Sequence, residues 1–277
     1  MSNIQSQISN IQSQLESCYP EDEARSLAWW IMEEETGLSR TQLQIGCKDT
    51  TFFANMQKIQ TIIDRLLHFE PIQYIFGHTL WYGLDLILTP ATLIPRPETA
   101  ELVDKISNIK YQISNIKCRV LDVGTGSGCI AIALKKAHPE WQVTGIDISA
   151  ETIEVAKENA VRNNVDVEFK IADIFDFNGD FDIVVSNPPY ICESEKISMK
   201  SNVLDYEPGS ALFVPDNDPL RFYRRIAELH LGPYLFFEIN EAYPNEVSAM
   251  LDELGYTDIR VTNDMYGKPR IVQAIKK

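Results

Sequence analysis

The chain has 277 residues, 44% of them hydrophobic, so it carries ample material for a packed core and is not a generally disordered protein. Its formal net charge of −15 argues against a protein held mainly by nucleic-acid phosphates, which needs a basic surface.

Two short repeats come first in chain order: SNIQSQI is followed at once by SNIQSQL, and ISNIKYQ later by ISNIK. The period of seven sets apolar residues three and four apart, as on an amphipathic helix. Two copies are too few for a solenoid, and the plain reading is helical decoration without chemistry. EARSLAWWIMEEETG carries an apolar stripe and ends at Gly37, a fitting helix C-cap. TTFFANMQKIQTIIDRLLHFE repeats that pattern and stops before Pro71. Residues 1–72 are therefore expected to form a small helical domain. From residue 73 the texture alternates, with aromatic and β-branched residues and with Gly77 and Gly83, which predicts a β-hairpin linker over 73–95. RPETAELVDKI restarts a helix, with Pro97, Glu98 and Thr99 in its first turn.

Beyond residue 119, strands and helices alternate: RVLDVG, CIAIALKKAHP, QVTGIDIS, AETIEVAKENAVRNN, VEFKIAD, FDIVVSN, then PLRFYRRIAELH and YLFFEIN. Such alternation predicts an α/β domain over 96–277, with a mostly parallel sheet covered on both faces. The final DIRVTNDMYGKPRIVQAIKK reads as two tightly joined strands that add an antiparallel edge. Five scattered cysteines without a CxxC pair read as reduced thiols, and four histidines show no metal-ligand spacing. No apolar run is long enough to span a bilayer, and the polar N-terminus lacks the features of a signal peptide, so a cytoplasmic location is expected.

LDVGTGSG sets Gly124, Gly126 and Gly128, with Thr125 and Ser127 between them, in a strand-to-helix turn. Glycines there let a ligand approach the backbone at a helix N-terminus; a purely structural turn is the bland alternative. Asp147 lies 19 residues beyond Gly128 at the end of the next strand, where a carboxylate can accept from ribose hydroxyls. The spacing is GxGxG rather than the GxGxxG of dinucleotide sites, and Asp122 precedes the loop. A carboxylate under the loop repels a pyrophosphate but suits a ligand with ammonium and sulfonium groups, so S-adenosylmethionine is the expected cofactor. Asp173 is placed to accept from the adenine amino group, or else to cap a helix, and Ile174 and Phe175 could face the purine. The stretch 119–190 resembles a class I methyltransferase core, a Rossmann-like fold.

VVSNPPY ends the fourth core strand at the carboxyl edge of the sheet, where open α/β folds bind ligands. Asn187 and the Pro188 carbonyl offer two acceptors for an NH2 group, Pro188 and Pro189 stiffen the turn, and Tyr190 offers a face for a flat group. Two acceptors aimed at the NH2 hydrogens favour the partly positive nitrogen of a methyl-transfer transition state. The turn alone leaves the acceptor open between adenine and glutamine.

PIQYIFG, LIPRPETAELVD, VLDVGTGSGCIAIALKKAHP, NPPYI and YEPGSALFVPDNDPLRFYRRI together resemble the HemK/PrmC family of protein-glutamine methyltransferases, over about residues 20–277. That resemblance implies methylation of the glutamine in the Gly-Gly-Gln motif of peptide chain release factors. It implies a helical substrate-docking domain, a hairpin linker and a methyltransferase domain, acting as a monomer without direct nucleic-acid binding. It also implies that Gly124–Gly128, Asp147, Asp173, Ile174 and Asn187 bind the cofactor, that Asn187, Pro188 and Tyr190 serve catalysis, and that Asn187–Tyr190 with Arg96 and Glu98 receive the substrate. Ala100 departs from the family, whose members usually carry an acidic residue there. A ribosomal-protein glutamine or a nucleic-acid adenine remains the alternative substrate, and an inactive cofactor-binding module the alternative of another class.

Overall fold

Ile4, Ile8, Ile11 and Leu15, spaced four, three and four apart, lie on one face of helix α1 (Ile4–Leu15), and the last three are buried. The computed structural model describes residues 4–45, 55–111 and 117–276 and contains two compact units, Met1–Phe76 and Gly77–Lys277. In the first, α2 (Glu21–Thr36) ends at Gly37, whose φ of 66° lets its amide bond back to the Glu33 carbonyl. Helices α3 (Arg40–Ile45), α4 (Met56–Leu67) and α5 (Ile72–Phe76) follow. Asn55 caps α4 by accepting from the Lys58 amide at 3.2 Å. The stretch 50–54, read from the sequence as part of that helix, lies outside the described residues. Ile11, Leu15, Met32, Ile59 and Ile63 share one core.

Residues 73–76 differ from expectation: they are helical, since Tyr74 and Ile75 bond back to the Pro71 carbonyl. The hairpin is shorter, β1 (His78–Trp81) and β2 (Leu84–Ile87), closed by Tyr82 and Gly83, both at positive φ, the two-residue turn that suits strand twist. It is built into the second unit. Trp81, Leu84 and Leu86 are buried in that unit's core. The β2 backbone pairs with two side-chain amides: Asn159 accepts from Ile87 N at 2.6 Å and donates to Ile87 O at 3.0 Å, and Asn163 does the same to Asp85 at 3.2 and 2.8 Å.

Helix α6 (Pro97–Ser107) follows, with proline in its first turn; residues 112–116, which include 113–116 of the second ISNIK copy, lie outside the described residues. Then come β3 (Arg119–Val123), α7 (Cys129–Ala137), β4 (Gln142–Asp147), α8 (Ala150–Arg162), β5 (Glu168–Ile171) and β6 (Ile183–Ser186). A short ladder joins β7 (Ile191–Cys192) to β8 (Phe213–Val214), with α9 (Ser201–Leu204) between them. The chain ends with α10 (Arg221–Glu228), β9 (Tyr234–Glu238), α11 (Pro244–Glu253), β10 (Tyr256–Asn263) and β11 (Pro269–Lys276).

The seven-stranded sheet runs β10-β11-β9-β6-β3-β4-β5. The five strands from β9 to β5 form four parallel pairs, while β11 pairs antiparallel with both β9 and β10. Neighbouring residues of one strand point to opposite faces. Val120, Val185 and Phe236 therefore join the layer of α6, α7 and α8, and Leu121, Val184 and Phe237 join that of α10 and α11. Strand order reverses between β3 and β6, which opens a crevice at their carboxyl ends. No helix among the described residues is long and apolar enough to cross a membrane.

Candidate active site

The crevice holds a cavity of about 570 Å³, lined in the second unit by the ends of β3, β4 and β6 and by the segments after them. Gly124 and Gly126 adopt φ of 70° and 55°, and a Cβ on either would meet nothing within 4 Å. Their freedom serves the left-handed turn and keeps bare backbone against the cavity they line. Gly128 is different. It also has positive φ, but a Cβ there would lie 3.1 Å from Ile132 and Phe169 and 3.2 Å from Ala156, so it is needed for packing and does not line the cavity. Thr125 and Ser127 are buried and likewise turned from the cavity.

Asp147, at the tip of β4, ties the turn together: one oxygen accepts from Gly126 N at 3.1 Å, the other from Ser149 N at 3.0 Å. Burial raises its pKa, opposed by those backbone amides. Asp122 departs from the reading of a carboxylate facing an ammonium group. It is fully buried and does not line the cavity, and its Oδ2 accepts from the Thr125 hydroxyl at 2.7 Å. Desolvation raises its pKa to about 7 against that hydrogen bond. Its place is to hold the loop.

Asp173, Ile174 and Phe175 line the far wall. No helix follows Asp173; its carboxylate instead accepts from Phe175 N at 2.9 Å in a tight turn. Arg225 of α10 donates to the carbonyls of Ile174 and Phe175, and Arg221 sits 5.3 Å from the Phe175 ring centroid, so one face of that ring is taken by a cation. Ile148, 67% exposed beside Asp147, leaves a large apolar surface open to the cavity. Open glycine backbone, two carboxylates and an apolar wall fit a nucleoside bearing a charged amino-acid tail, as S-adenosylmethionine does.

Asn187, Pro188 and Pro189 line the same cavity. Ser186 anchors their turn by donating to the Val123 carbonyl at 2.7 Å. Tyr190 is placed otherwise than expected for a stacking face. It does not line the cavity, its ring packs against the apolar layer of α10 and α11, and its hydroxyl donates to Glu238 at 3.2 Å. Burial is the main cause of its raised pKa, with the Glu238 charge next.

Two buried carboxylates escaped the sequence reading. Glu207 accepts from Arg96 at 2.6 Å and from the Ile94 amide at 3.3 Å, fastening the segment before α6 to the loop that carries Pro208 and Ser210 into the cavity wall. Arg96 and Glu98 do not themselves line the cavity. Glu238, at the end of β9, accepts from Thr99 at 2.7 Å and from Tyr190, and Thr99 accepts from the Asn187 side-chain amide at 3.4 Å. Ala100 packs partly buried on the apolar layer of α6, α7 and α8. Among the described residues no His, Cys, Asp and Glu cluster could hold a metal ion.

A family model described as "Methyltransferase small domain" matches residues 100–204, and one described as "PrmC N-terminal domain" matches residues 8–77. A "Release factor glutamine methyltransferase" of Bacteroides thetaiotaomicron is 44% identical, covering 95% of this chain and 97% of that protein. A protein of the same description from Flavobacterium psychrophilum is 41% identical, covering 94% of each. A solved methyltransferase structure from Pyrococcus furiosus, 22% identical, shares the fold with a TM-score of 0.51, covering 81% of this chain and 99% of that one. With Gly124, Gly126, Asp147, Asn187, Pro188 and Pro189 around one cavity, and with 41–44% identity to these relatives over nearly the full length of both chains, the chain belongs to the release factor glutamine methyltransferase family.

Proposed function

We propose that this protein transfers a methyl group from S-adenosylmethionine to the side-chain amide nitrogen of the glutamine in the Gly-Gly-Gln motif of peptide chain release factors, in the cytoplasm, as a monomer and without binding nucleic acid directly. The observation that carries the reading is that Asn187, Pro188 and Pro189 line the same cavity as Gly124 and Gly126. S-adenosylmethionine, when bound, supplies a methyl group on a positively charged sulfur. Gly124 and Gly126 admit the ligand against the backbone, and Asp147 and Asp173 accept from its hydroxyl and amino groups. Asn187 holds the incoming amide: with its Nδ2 donating to Thr99, Oδ1 is the side-chain acceptor left for an amide N–H. The Pro188 carbonyl is the second acceptor. An amide nitrogen is a poor nucleophile because its lone pair is delocalised, and two acceptors on its hydrogens favour the pyramidal nitrogen on the way to the product. Holding that nitrogen in line with the methyl carbon adds an orientation term of up to roughly 7–11 kcal/mol in the best systems.

The N-terminal unit is the docking element for the protein substrate in this reading, together with the β1–β2 hairpin. Incubation with labelled S-adenosylmethionine and purified release factor, ribosomes or DNA tests it. Label on the release-factor glutamine, located by mass spectrometry, supports the proposal; label only on ribosomal protein or DNA overturns it.

A further inference from the structure

We infer that Glu238 and Thr99 are positioning residues, which fix the orientation of the Asn187 amide so that its oxygen, and not its nitrogen, is presented to the substrate. The inference rests on the proposed role of Asn187 as an acceptor. An asparagine side chain has two faces of nearly equal shape and opposite hydrogen-bonding sense. If Asn187 turned over, an NH2 group would meet the substrate NH2, donor against donor, and the site would repel what it should hold. Stiff prolines fix the backbone of the turn but leave this side-chain torsion free.

The chain of bonds behind Asn187 removes that freedom. Glu238 is 1% exposed, and its two oxygens accept from Thr99 at 2.7 Å and from Tyr190 at 3.2 Å. A carboxylate can only accept. Burial raises its pKa above the ordinary carboxylate value, opposed by the Thr99 hydroxyl, the Arg270 guanidinium and the Tyr190 hydroxyl, which favour the charged form. A threonine hydroxyl has one proton, and here Glu238 takes it. Toward Asn187 the Thr99 oxygen is then an acceptor only, so the atom facing it must be Nδ2, as found at 3.4 Å. That link is long, as catalytic contacts often are before the substrate seats. Thr99 itself is 2% exposed, so no water competes for its lone pairs from bulk solvent. The three residues come from α6, the β6 turn and β9, so two separate elements set one torsion.

The test uses the full-length protein, purified release factor and S-adenosylmethionine. Thr99→Val keeps the volume and removes the acceptor. Its kcat should fall about tenfold to a hundredfold, the range for losing a group that orients a reacting side chain, with the cofactor Kd unchanged by calorimetry. Thr99→Ser should recover most of the turnover. Glu238→Gln should also lower kcat, because its NH2 can turn to Thr99 and let that hydroxyl donate to Asn187. In the Asn187→Ala background neither change should cost anything further, since both act through Asn187; a general loss of packing would not show this. Independently of turnover, the Asn187 side-chain NH2 resonances, assigned against Asn187→Ala, should shift and exchange faster in Thr99→Val. Full activity of Thr99→Val, an added loss in the Asn187→Ala background, or unchanged Asn187 resonances would overturn the inference. Wild-type turnover by Asn187→Ala alone would instead overturn the acceptor reading beneath it.

Discussion

Alanine placed at two glycines of the same loop should do two different things. At Gly128 the substitution meets positive φ and three carbons at 3.1–3.2 Å. The left-handed backbone costs a non-glycine residue about 1–2 kcal/mol, and overpacking a filled site about 1–3 kcal/mol more, so Gly128→Ala should destabilise by about 2–5 kcal/mol. At Gly124 φ is also positive, but a Cβ meets nothing within 4 Å. Only the backbone term remains, about 1–2 kcal/mol. The new methyl group, however, stands in the cavity that Gly124 lines. Crowding a bound ligand by about 1–3 kcal/mol weakens its affinity roughly 5- to 150-fold. Urea denaturation gives the stabilities, and calorimetry with S-adenosylmethionine gives the affinities. Equal destabilisation by the two variants, or wild-type affinity in Gly124→Ala, would refute the division of the loop into a packing glycine and ligand-facing ones.

Asp122→Asn should stabilise the protein at alkaline pH. The folded-state pKa is raised to about 7 from an ordinary 3.8, so the folded protein keeps a proton that the unfolded chain releases between those values. Stability from this residue therefore falls as pH rises through that window, by at most ~4 kcal/mol, and the variant's advantage over wild type in thermal melts should grow from pH 4.5 to pH 8. A constant difference across that range would count against the assignment. Asn187→Ala should lower methyl transfer about 10²–10³-fold with the fold intact by circular dichroism, and Asn187→Asp should fall between alanine and wild type. Deleting residues 1–76 should spare cofactor affinity, since the cavity is lined wholly from the second unit, and should impair methylation of intact release factor; undiminished activity on that substrate would remove the docking role.

The glycine loop, Asp147 and the NPPY turn were legible because each is a local event: a tight turn, a strand end and a pair of prolines within a few residues. Glu238 and Glu207 were not, because their partners Thr99 and Arg96 lie 139 and 111 residues away. One signal was present. A glutamate closing the apolar run YLFFE must be buried, and a buried carboxylate needs donors. Asn159 hides in the same way. In AETIEVAKENAVRNN it reads as a polar helix residue, yet it is fully buried and joins the hairpin at Ile87 to the glycine loop at Ser127. Tyr190 misled for the opposite reason. Ring and hydroxyl are both visible in the sequence, but which of them is spent on the protein's own interior depends on Glu238.

The two turns that face each other across the cavity rise from strands that are immediate neighbours. Val123 and Ser186, the last residues of β3 and β6, are paired in register, and the Ser186 hydroxyl closes the pair by bonding the Val123 carbonyl. In the proposed reaction the turns that hold methyl donor and methyl acceptor are thus mounted on one ladder, with the strands about 4.8 Å apart. Twisting or breathing of the sheet carries both mounts in common mode and leaves the gap between them unchanged. Only slippage of β3 against β6 would open it, and that slippage breaks the centre of the sheet. Loss of alignment on heating should therefore coincide with global melting, so that turnover keeps rising with temperature until the whole domain unfolds.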